Sequence, residues 1–513
     1  MIMRKQTNNL EQIIETLPLP QQQLVEAFFI ELSTRIVLVP SEKRKIVADF
    51  QAAIVYYLKQ GIQLEEALLR LDVKNLGGFY SRPPSRWFSL DYAARIYPLS
   101  LAHGQISLFR LSVYLKSDVV PEVLQMALTF TIKRFPQFAT TLKKGFFWHY
   151  LDSTKGHYNI QAEVSRPFVP IRVSLTGSKT FKVLYFHNRI SVEIFHALTD
   201  GSGGMVFLKT LVREYFRLLG VESSLDDTTF DINVAPDNAE DNNEFANAPK
   251  TQASGFINKK SLQMSGKLTR VKPCQVLHFK MDSRKLVEVA KANHTTVTGY
   301  IITQMMIADK YAIEANSGDI TVQIPINMRK FYPSKTIRNY SMYFGVRLPI
   351  KEVTTTENII NEVNRQLKEN STKEKMTEMV YSTRQMVRKL NFIPLFIKTP
   401  IARRVYGFIG ERSYTNTLSN LGVVSFPPEL APHIDSLDFI LGTSVLNRAS
   451  CTLISFANTT TLSISKITLD SAYEERLLSL LEADNIPLTI EGSDVYENVK
   501  YISIRKKAKT TKK

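Results

Sequence analysis

The feature that most constrains the fold is a strand–strand–turn–helix unit in residues 181–219. Two runs of β-branched and aromatic residues, 181–187 and 190–195, flank an Asn-Arg turn and predict a β-hairpin. Apolar residues then recur at helical spacing: Leu208, Leu211, Val212, Tyr215 and Leu219. A hairpin that leads into an amphipathic helix needs a sheet with a helix packed on it. The chain is therefore predicted to be a mixed α/β protein.

The link between hairpin and helix has the spacing H-x-x-x-D-G, formed by His196, Asp200 and Gly201. A histidine at the end of a strand can project its ring into a cleft, and imidazole is well suited to act as a general base near neutral pH. Asp200 lies in the turn and is predicted to point back under the loop toward an arginine, which is a structural role. Gly201, Gly203 and Gly204 allow close backbone packing at the start of the helix. A lone histidine after a strand is usually a surface or hydrogen-bonded residue, but the motif and its context favour catalysis.

Length and composition indicate a globular protein that lacks a disulfide framework. The 513 residues are 44% hydrophobic and 10% aromatic, which is enough for a sizeable core and two to four domains. Cys274 and Cys451 have neither disulfide-framework nor metal-ligand spacing, so a reducing compartment and no metal are predicted. The N-terminus lacks the apolar core of a signal peptide, and no long uncharged apolar run occurs. These features predict a cytoplasmic location.

The net charge of +17 is unevenly placed, because six cations lie in residues 505–513. The remaining positive charge forms no dense stripe and matches no nucleic-acid-binding module, so no nucleic-acid partner is predicted. The tail is interpreted as a solvated end, with contact to an anionic surface as the alternative.

Composition and periodicity divide the chain into five segments. Residues 1–80 are predicted to be a helical N-terminal extension, and 90–220 a first mixed lobe that carries the motif. Residues 221–270 are polar and acidic, which indicates a solvated linker or a long crossover. Residues 271–490 read as a second mixed lobe, and 491–513 as a strand and the basic tail. The functional cleft is predicted between the two lobes.

Four motifs in order resemble the CoA-dependent acyltransferase superfamily: Arg134–Phe138, the H-x-x-x-D-G at His196, Pro325–Arg329 and Ser419–Gly422. That superfamily includes chloramphenicol acetyltransferases, condensation domains of peptide synthetases and bacterial alcohol acetyltransferases, and the chain looks most like the last. The resemblance covers about residues 90–485. It implies two chloramphenicol-acetyltransferase-like lobes whose mixed sheets flank a central active-site tunnel, with the helical segment added at the N-terminus.

The resemblance also implies a mechanism and a set of site residues. His196 would take the proton of an acceptor hydroxyl as it attacks the thioester of acetyl-CoA or another acyl-CoA, with no metal. Ser419, with Asn420 beside it, would face the histidine and stabilise the oxyanion. Asp200 would pair with Arg329 across the lobes. The plainer alternatives are a strand-end turn at Ser419 and Asn420, and a surface cation at Arg329.

The acceptor is expected to be a small alcohol or a lipophilic molecule, while its identity, the acyl length and the oligomeric state stay open. Two other functions are retained: a catalytically silent, condensation-domain-like binding protein, and an enzyme that forms an amide. Residues 388–408 join an apolar cluster to two prolines and several cations. This segment is interpreted as a core-packed stretch with charged edges, and the alternative is a peripheral membrane contact.

Overall fold

The computed structural model describes residues 10–81, 86–100, 107–154, 156–169, 177–252, 259–401, 411–443 and 447–496. Its helices, in chain order, are α1 Leu19–Arg35, α2 Pro40–Lys59, α3 Leu64–Arg70, α4 Tyr97–Ser100, α5 Pro121–Thr131, α6 Gly201–Leu218, α7 Glu244–Asn247, α8 Ser283–Ala292, α9 Val297–Tyr311, α10 Thr356–Asn370, α11 Lys373–Lys389 and α12 Ala472–Ala483. Its strands are β1 Trp87–Ser89, β2 Leu108–Leu115, β3 Thr140–Lys144, β4 His149–Ser153, β5 Ile160–Ala162, β6 Ser178–Lys179, β7 Phe181–Phe186, β8 Arg189–Phe195, β9 Gln275–Asp282, β10 Asp319–Asn327, β11 Ser341–Pro349, β12 Asn416–Val423, β13 Ile434–Leu441, β14 Ala449–Phe456, β15 Thr459–Lys466 and β16 Leu488–Gly492.

The first lobe is built on a five-stranded sheet of order β13-β2-β8-β7-β5, beside a four-stranded sheet of order β1-β4-β3-β6. Strands β2 and β8 are buried along nearly their whole length, because α6 packs on them. Phe138 and Phe207 stack with ring centroids 4.4 Å apart, which joins the end of the α5 segment to α6. The predicted hairpin is present, with its turn at His187 and Asn188.

The N-terminal helices belong to the core of this lobe. Phe50 of α2 meets Phe130 of α5 with ring centroids 5.9 Å apart. The Tyr57 hydroxyl donates to the carbonyl of Leu218 at 2.9 Å, at the end of α6. The predicted extension is thus packed into the lobe that carries the motif.

The second lobe is a seven-stranded sheet of order β11-β10-β12-β14-β15-β9-β16 with its own hydrophobic core. β10, β12 and β14 run parallel and the other neighbours are antiparallel. Helix α9 contacts α10 and α12 and closes one face of the sheet over this core.

Two segments tie the lobes together. Strand β13 pairs antiparallel with β2, so residues 434–441, which the sequence placed in the second lobe, complete the first lobe's sheet. In the connector, Glu240 receives a bidentate pair of hydrogen bonds from Arg134, at 2.5 and 2.6 Å. Phe245 of the same connector is buried in the second core. These contacts favour the crossover interpretation over a solvated linker. No helix within the described residues is both long and apolar enough to cross a bilayer.

Candidate active site

His196 follows β8 directly, and three contacts hold it. Its backbone N–H donates to the carbonyl of Ser107 at 2.9 Å. Tyr97 of α4 stacks on the imidazole with centroids 4.5 Å apart and planes 18° apart, and Phe109 of β2 meets it edge-on at 5.3 Å. The ring is half-buried, so one orientation is fixed while part of the imidazole stays accessible.

A buried amide and a buried carboxyl set the orientation of His196. Nδ1 lies 2.8 Å from Oδ1 of Asn339, and Nδ2 of Asn339 donates to Oδ2 of Asp91 at 3.2 Å. An amide oxygen only accepts hydrogen bonds, so Nδ1 donates its proton to Asn339, and in the neutral imidazole the lone pair is therefore on Nε2. Burial raises the pKa of Asp91, and Arg338 and the N–H of Ala94 oppose that shift.

Asp200 caps α6 and joins the two lobes. Its Oδ1 accepts from the N–H of Gly203 at 3.0 Å, as an N-cap side chain does. Its Oδ2 accepts from Nη1 of Arg329 and from the N–H of Tyr340, both at 2.8 Å. The structure therefore brings together the carboxylate and the guanidinium that the sequence paired.

Arg329 also closes the loop between β10 and β11. Its Nε and Nη2 donate to the carbonyl of Thr336 at 3.0 and 2.8 Å, and Nη2 donates to the carbonyl of Arg338 at 2.6 Å. The same loop carries Asn339. The pair with Asp200 thus fixes the segment that positions His196, without contact to the imidazole.

The glycines of the motif mark close approaches. A Cβ at Gly203 would lie 2.1 Å from the carbonyl oxygen of Ile337, so the loop and the start of α6 touch backbone to backbone. A Cβ at Gly201 would lie 2.9 Å from the Leu421 side chain, which places the end of β12 against the motif. A Cβ at Gly204 would lie 2.9 Å from the side chains of Phe109 in β2 and Ile194 in β8.

The structure separates Ser419 from Asn420. Side chains alternate along a strand, and the register of β12 with β14 is regular up to Asn420, so Ser419 and Asn420 point to opposite faces. The Asn420 amide instead donates to Oγ1 of Thr298 at 3.0 Å, at the start of α9. Its Oδ1 accepts from the N–H of Gly422 at 2.7 Å. Asn420 thus makes polar contacts with Thr298 and Gly422, and its place beside Ser419 at the oxyanion stays a prediction.

Sequence reasoning missed Asn339 and Asp91. Neither lies in one of the four motifs, and they are 248 residues apart in the chain. The only available signal was that Asn339 follows Arg329 in the same loop. Across the described ranges, no group of three or more His, Cys, Asp or Glu side chains is arranged to hold a metal ion. A groove of about 570 Å³ between α2 and β3 is lined by Glu42 and His157, away from the motif.

No family model and no curated protein sequence matches this chain. Solved structures do match. The TRI3 trichothecene 15-O-acetyltransferase from Fusarium sporotrichioides has a TM-score of 0.51 at 12% identity, over 77% of this chain and 94% of that one. TRI101 of F. graminearum, complexed with coenzyme A and T-2 mycotoxin, has a TM-score of 0.54 at 10% identity, over 79% and 99%. The first condensation domain of the calcium-dependent antibiotic synthetase has a TM-score of 0.50 at 11% identity, also over 79% and 99%.

These likenesses show the fold. The chain has the same mixed α/β fold as TRI3, TRI101 and the condensation domain, so the predicted fold class is confirmed.

Proposed function

We propose that the protein is an acyl-CoA-dependent O-acyltransferase that uses His196 as its general base. The observation that carries this proposal is the contact between the imidazole and Asn339. Nδ1 faces the amide oxygen of Asn339 and donates to it, so the neutral ring has its lone pair on Nε2, where it can accept the proton of an acceptor hydroxyl.

The transfer follows from that geometry. Nε2 accepts the hydroxyl proton as the acceptor oxygen forms a bond to the thioester carbonyl carbon, and the carbonyl oxygen becomes an oxyanion. Ser419 is the proposed donor to that oxyanion, because it lies on β12 two residues before Leu421, whose side chain lies against Gly201. Collapse of the intermediate breaks the carbon–sulfur bond, and the departing thiolate takes the proton back from the imidazolium. Asp200 and Arg329 position the loop and exchange no proton.

The structural neighbours support the choice of co-substrate and acceptor. TRI101 binds coenzyme A together with T-2 mycotoxin or deoxynivalenol, and TRI3 is a 15-O-acetyltransferase. Acetyl-CoA or another acyl-CoA is therefore the proposed donor, and a small-molecule alcohol the proposed acceptor. The mechanism needs no metal.

The test is release of free thiol from acetyl-CoA with a mixture of alcohols. His196→Ala should lower the rate by about 10² to 10⁴, which is the usual effect of losing a general base. His433→Ala is the matched control, because this histidine is exposed and distant from the motif in sequence. Near-normal turnover in His196→Ala would contradict the mechanism.

Amide formation is the second candidate, because the condensation-domain neighbour shares the fold. A parallel arm with a mixture of primary amines separates the two. If amines support thiol release and alcohols do not, the enzyme is an N-acyltransferase and the O-acyltransferase proposal is wrong. Binding of acetyl-CoA without turnover on either mixture would indicate a silent binding protein.

A further inference from the structure

Two neighbouring segments expose aromatic and aliphatic side chains to solvent. We call this the aromatic surface, and it comprises Phe146, Phe147, Phe392, Phe396, Ile397 and Ile401. Phe392 is 87% exposed, Phe396 70% and Phe146 66%. The favoured sequence interpretation of residues 388–408 as core-packed is therefore wrong for Phe392 and Phe396. Residues 402–408 of that segment lie outside the described residues.

In the helical residues 395–401 Leu395 is buried, but the other large apolar side chains face outward and a lysine faces inward. Phe396, Ile397 and Ile401 point outward, whereas Lys398 is only 3% exposed. The Lys398 ammonium lies 3.3 Å from the ring centroid of Trp148, and it has no hydrogen-bond partner among the described residues. Burial, with help from Arg95, lowers the pKa of Lys398 to about 8. A surface helix in a water-soluble protein normally faces its apolar side to the core, so the inverted arrangement suits an apolar environment outside the protein.

The two segments form one continuous surface. The N–H of Leu395 donates to the carbonyl of Phe146 at 2.7 Å. Nε1 of Trp148 and Nη1 of Arg95 both donate to Oδ1 of Asn391 at 3.0 Å. Arg95 is two residues before Tyr97, which stacks on His196. The aromatic surface is therefore attached through short hydrogen bonds to the segment beside the imidazole.

The two segments that form the aromatic surface carry positive charge and contain no acidic residues. No Asp or Glu occurs in residues 123–151 or 379–410. Lys144, Arg388 and Lys389 are exposed beside the phenylalanines. Apolar side chains flanked by exposed cations match a membrane interface with anionic headgroups.

We propose that the aromatic surface binds an anionic membrane surface, with its phenylalanines inserted among the headgroups and its cations at the phosphates. This proposal is independent of the acyl-transfer chemistry. If both hold, the acceptor reaches His196 from the lipid phase, and lipophilic alcohols are its substrate class.

The test is flotation of the 513-residue protein with phosphatidylcholine vesicles, with and without phosphatidylglycerol. The wild-type protein should float with the anionic vesicles. Phe392→Ser and Phe396→Ser should each lower the partition coefficient about tenfold, because each removes one large apolar side chain from the interface. Leu69→Ser and Val164→Ser are matched controls, since both side chains are exposed outside the aromatic surface and should leave partitioning unchanged.

A second set of variants tests the contribution of the cations to membrane binding. Arg388→Gln and Lys389→Gln should each lower partitioning onto anionic vesicles about fivefold and leave partitioning onto neutral vesicles unchanged. The tail at residues 505–513 is present in every variant, so binding through the tail alone would survive the phenylalanine substitutions. Wild-type flotation by Phe392→Ser and Phe396→Ser would overturn the proposal, as would absence of flotation by the wild-type protein.

Thiol release with a soluble alcohol, measured without vesicles, separates this proposal from the proposed function. Phe392→Ser and Phe396→Ser should retain wild-type turnover there. Flotation by His196→Ala should equal that of the wild-type protein, so each proposal can fail while the other stands.

Discussion

The pair between Asp200 and Arg329 predicts a large and measurable coupling. Asp200 is 3% exposed, and its Oδ2 lies 2.8 Å from Nη1 of Arg329. Removing one partner of such a pair leaves the other charge buried, which lowers the free energy of unfolding by about 3 to 5 kcal/mol. Asp200→Ala also removes the N-cap of α6, worth about 1 kcal/mol, and Arg329→Ala also frees the carbonyls of Thr336 and Arg338. These extra losses do not depend on the partner and therefore do not enter the coupling.

The double variant Asp200→Ala/Arg329→Ala should then lose about 2 to 3 kcal/mol less than the sum of the single variants. The assay is urea unfolding of the wild-type protein and the three variants, followed by circular dichroism. A parallel cycle on Arg365 and Glu369 is the control, because both side chains of this ion pair are exposed and the pair should show a coupling of about 0.5 kcal/mol. A coupling for Asp200 and Arg329 no larger than that of the exposed pair would refute the argument.

Three other changes have defined outcomes. Gly203→Ala would place a methyl group 2.1 Å from the carbonyl oxygen of Ile337. The free energy of unfolding should therefore fall by about 3 kcal/mol and the melting temperature should fall with it. An unchanged melting temperature would contradict the close approach. Asn339→Ala removes the acceptor at Nδ1 of His196, so kcat should fall about tenfold. An unchanged kcat would exclude the positioning role. Burial, with nearby lysines, lowers the pKa of His149 from 6.5 to about 4, so the unfolded chain takes up its proton first as pH falls. The free energy of unfolding should therefore drop by about 3 kcal/mol between pH 6.5 and 4, and His149→Gln should flatten that dependence in urea unfolding.

The parts of the structure that the sequence predicted are those that local pattern controls. The spacing of apolar residues after Gly201 predicted α6, which ends at Leu218. The β-branched runs predicted β7 and β8 with a turn shifted by one residue. The contact between Asp200 and Arg329 was expected only because motifs in a known order implied it.

The parts that local pattern does not control were missed. Asn339 and Asp91 meet at His196 because loops from both lobes pack together, and no periodicity records which loops meet. The face on which Asn420 lies depends on the register of β12 against β10 and β14, which distant residues set. Phe392 and Phe396 were expected in the core but are exposed, because hydrophobicity indicates burial only on average.

The pairing of β13 with β2 has a consequence for how the protein is made. Strand β2 ends at Leu115, yet its edge partner begins at Ile434, so this edge waits for its neighbour while roughly 320 further residues are added. At translation rates of about 5 to 20 residues per second, that interval lasts on the order of 20 to 60 s. An unpaired, strongly apolar edge strand invites pairing with other chains during that time. Nascent chains stalled before residue 434 should therefore recruit chaperones or aggregate, whereas chains released after β13 should not.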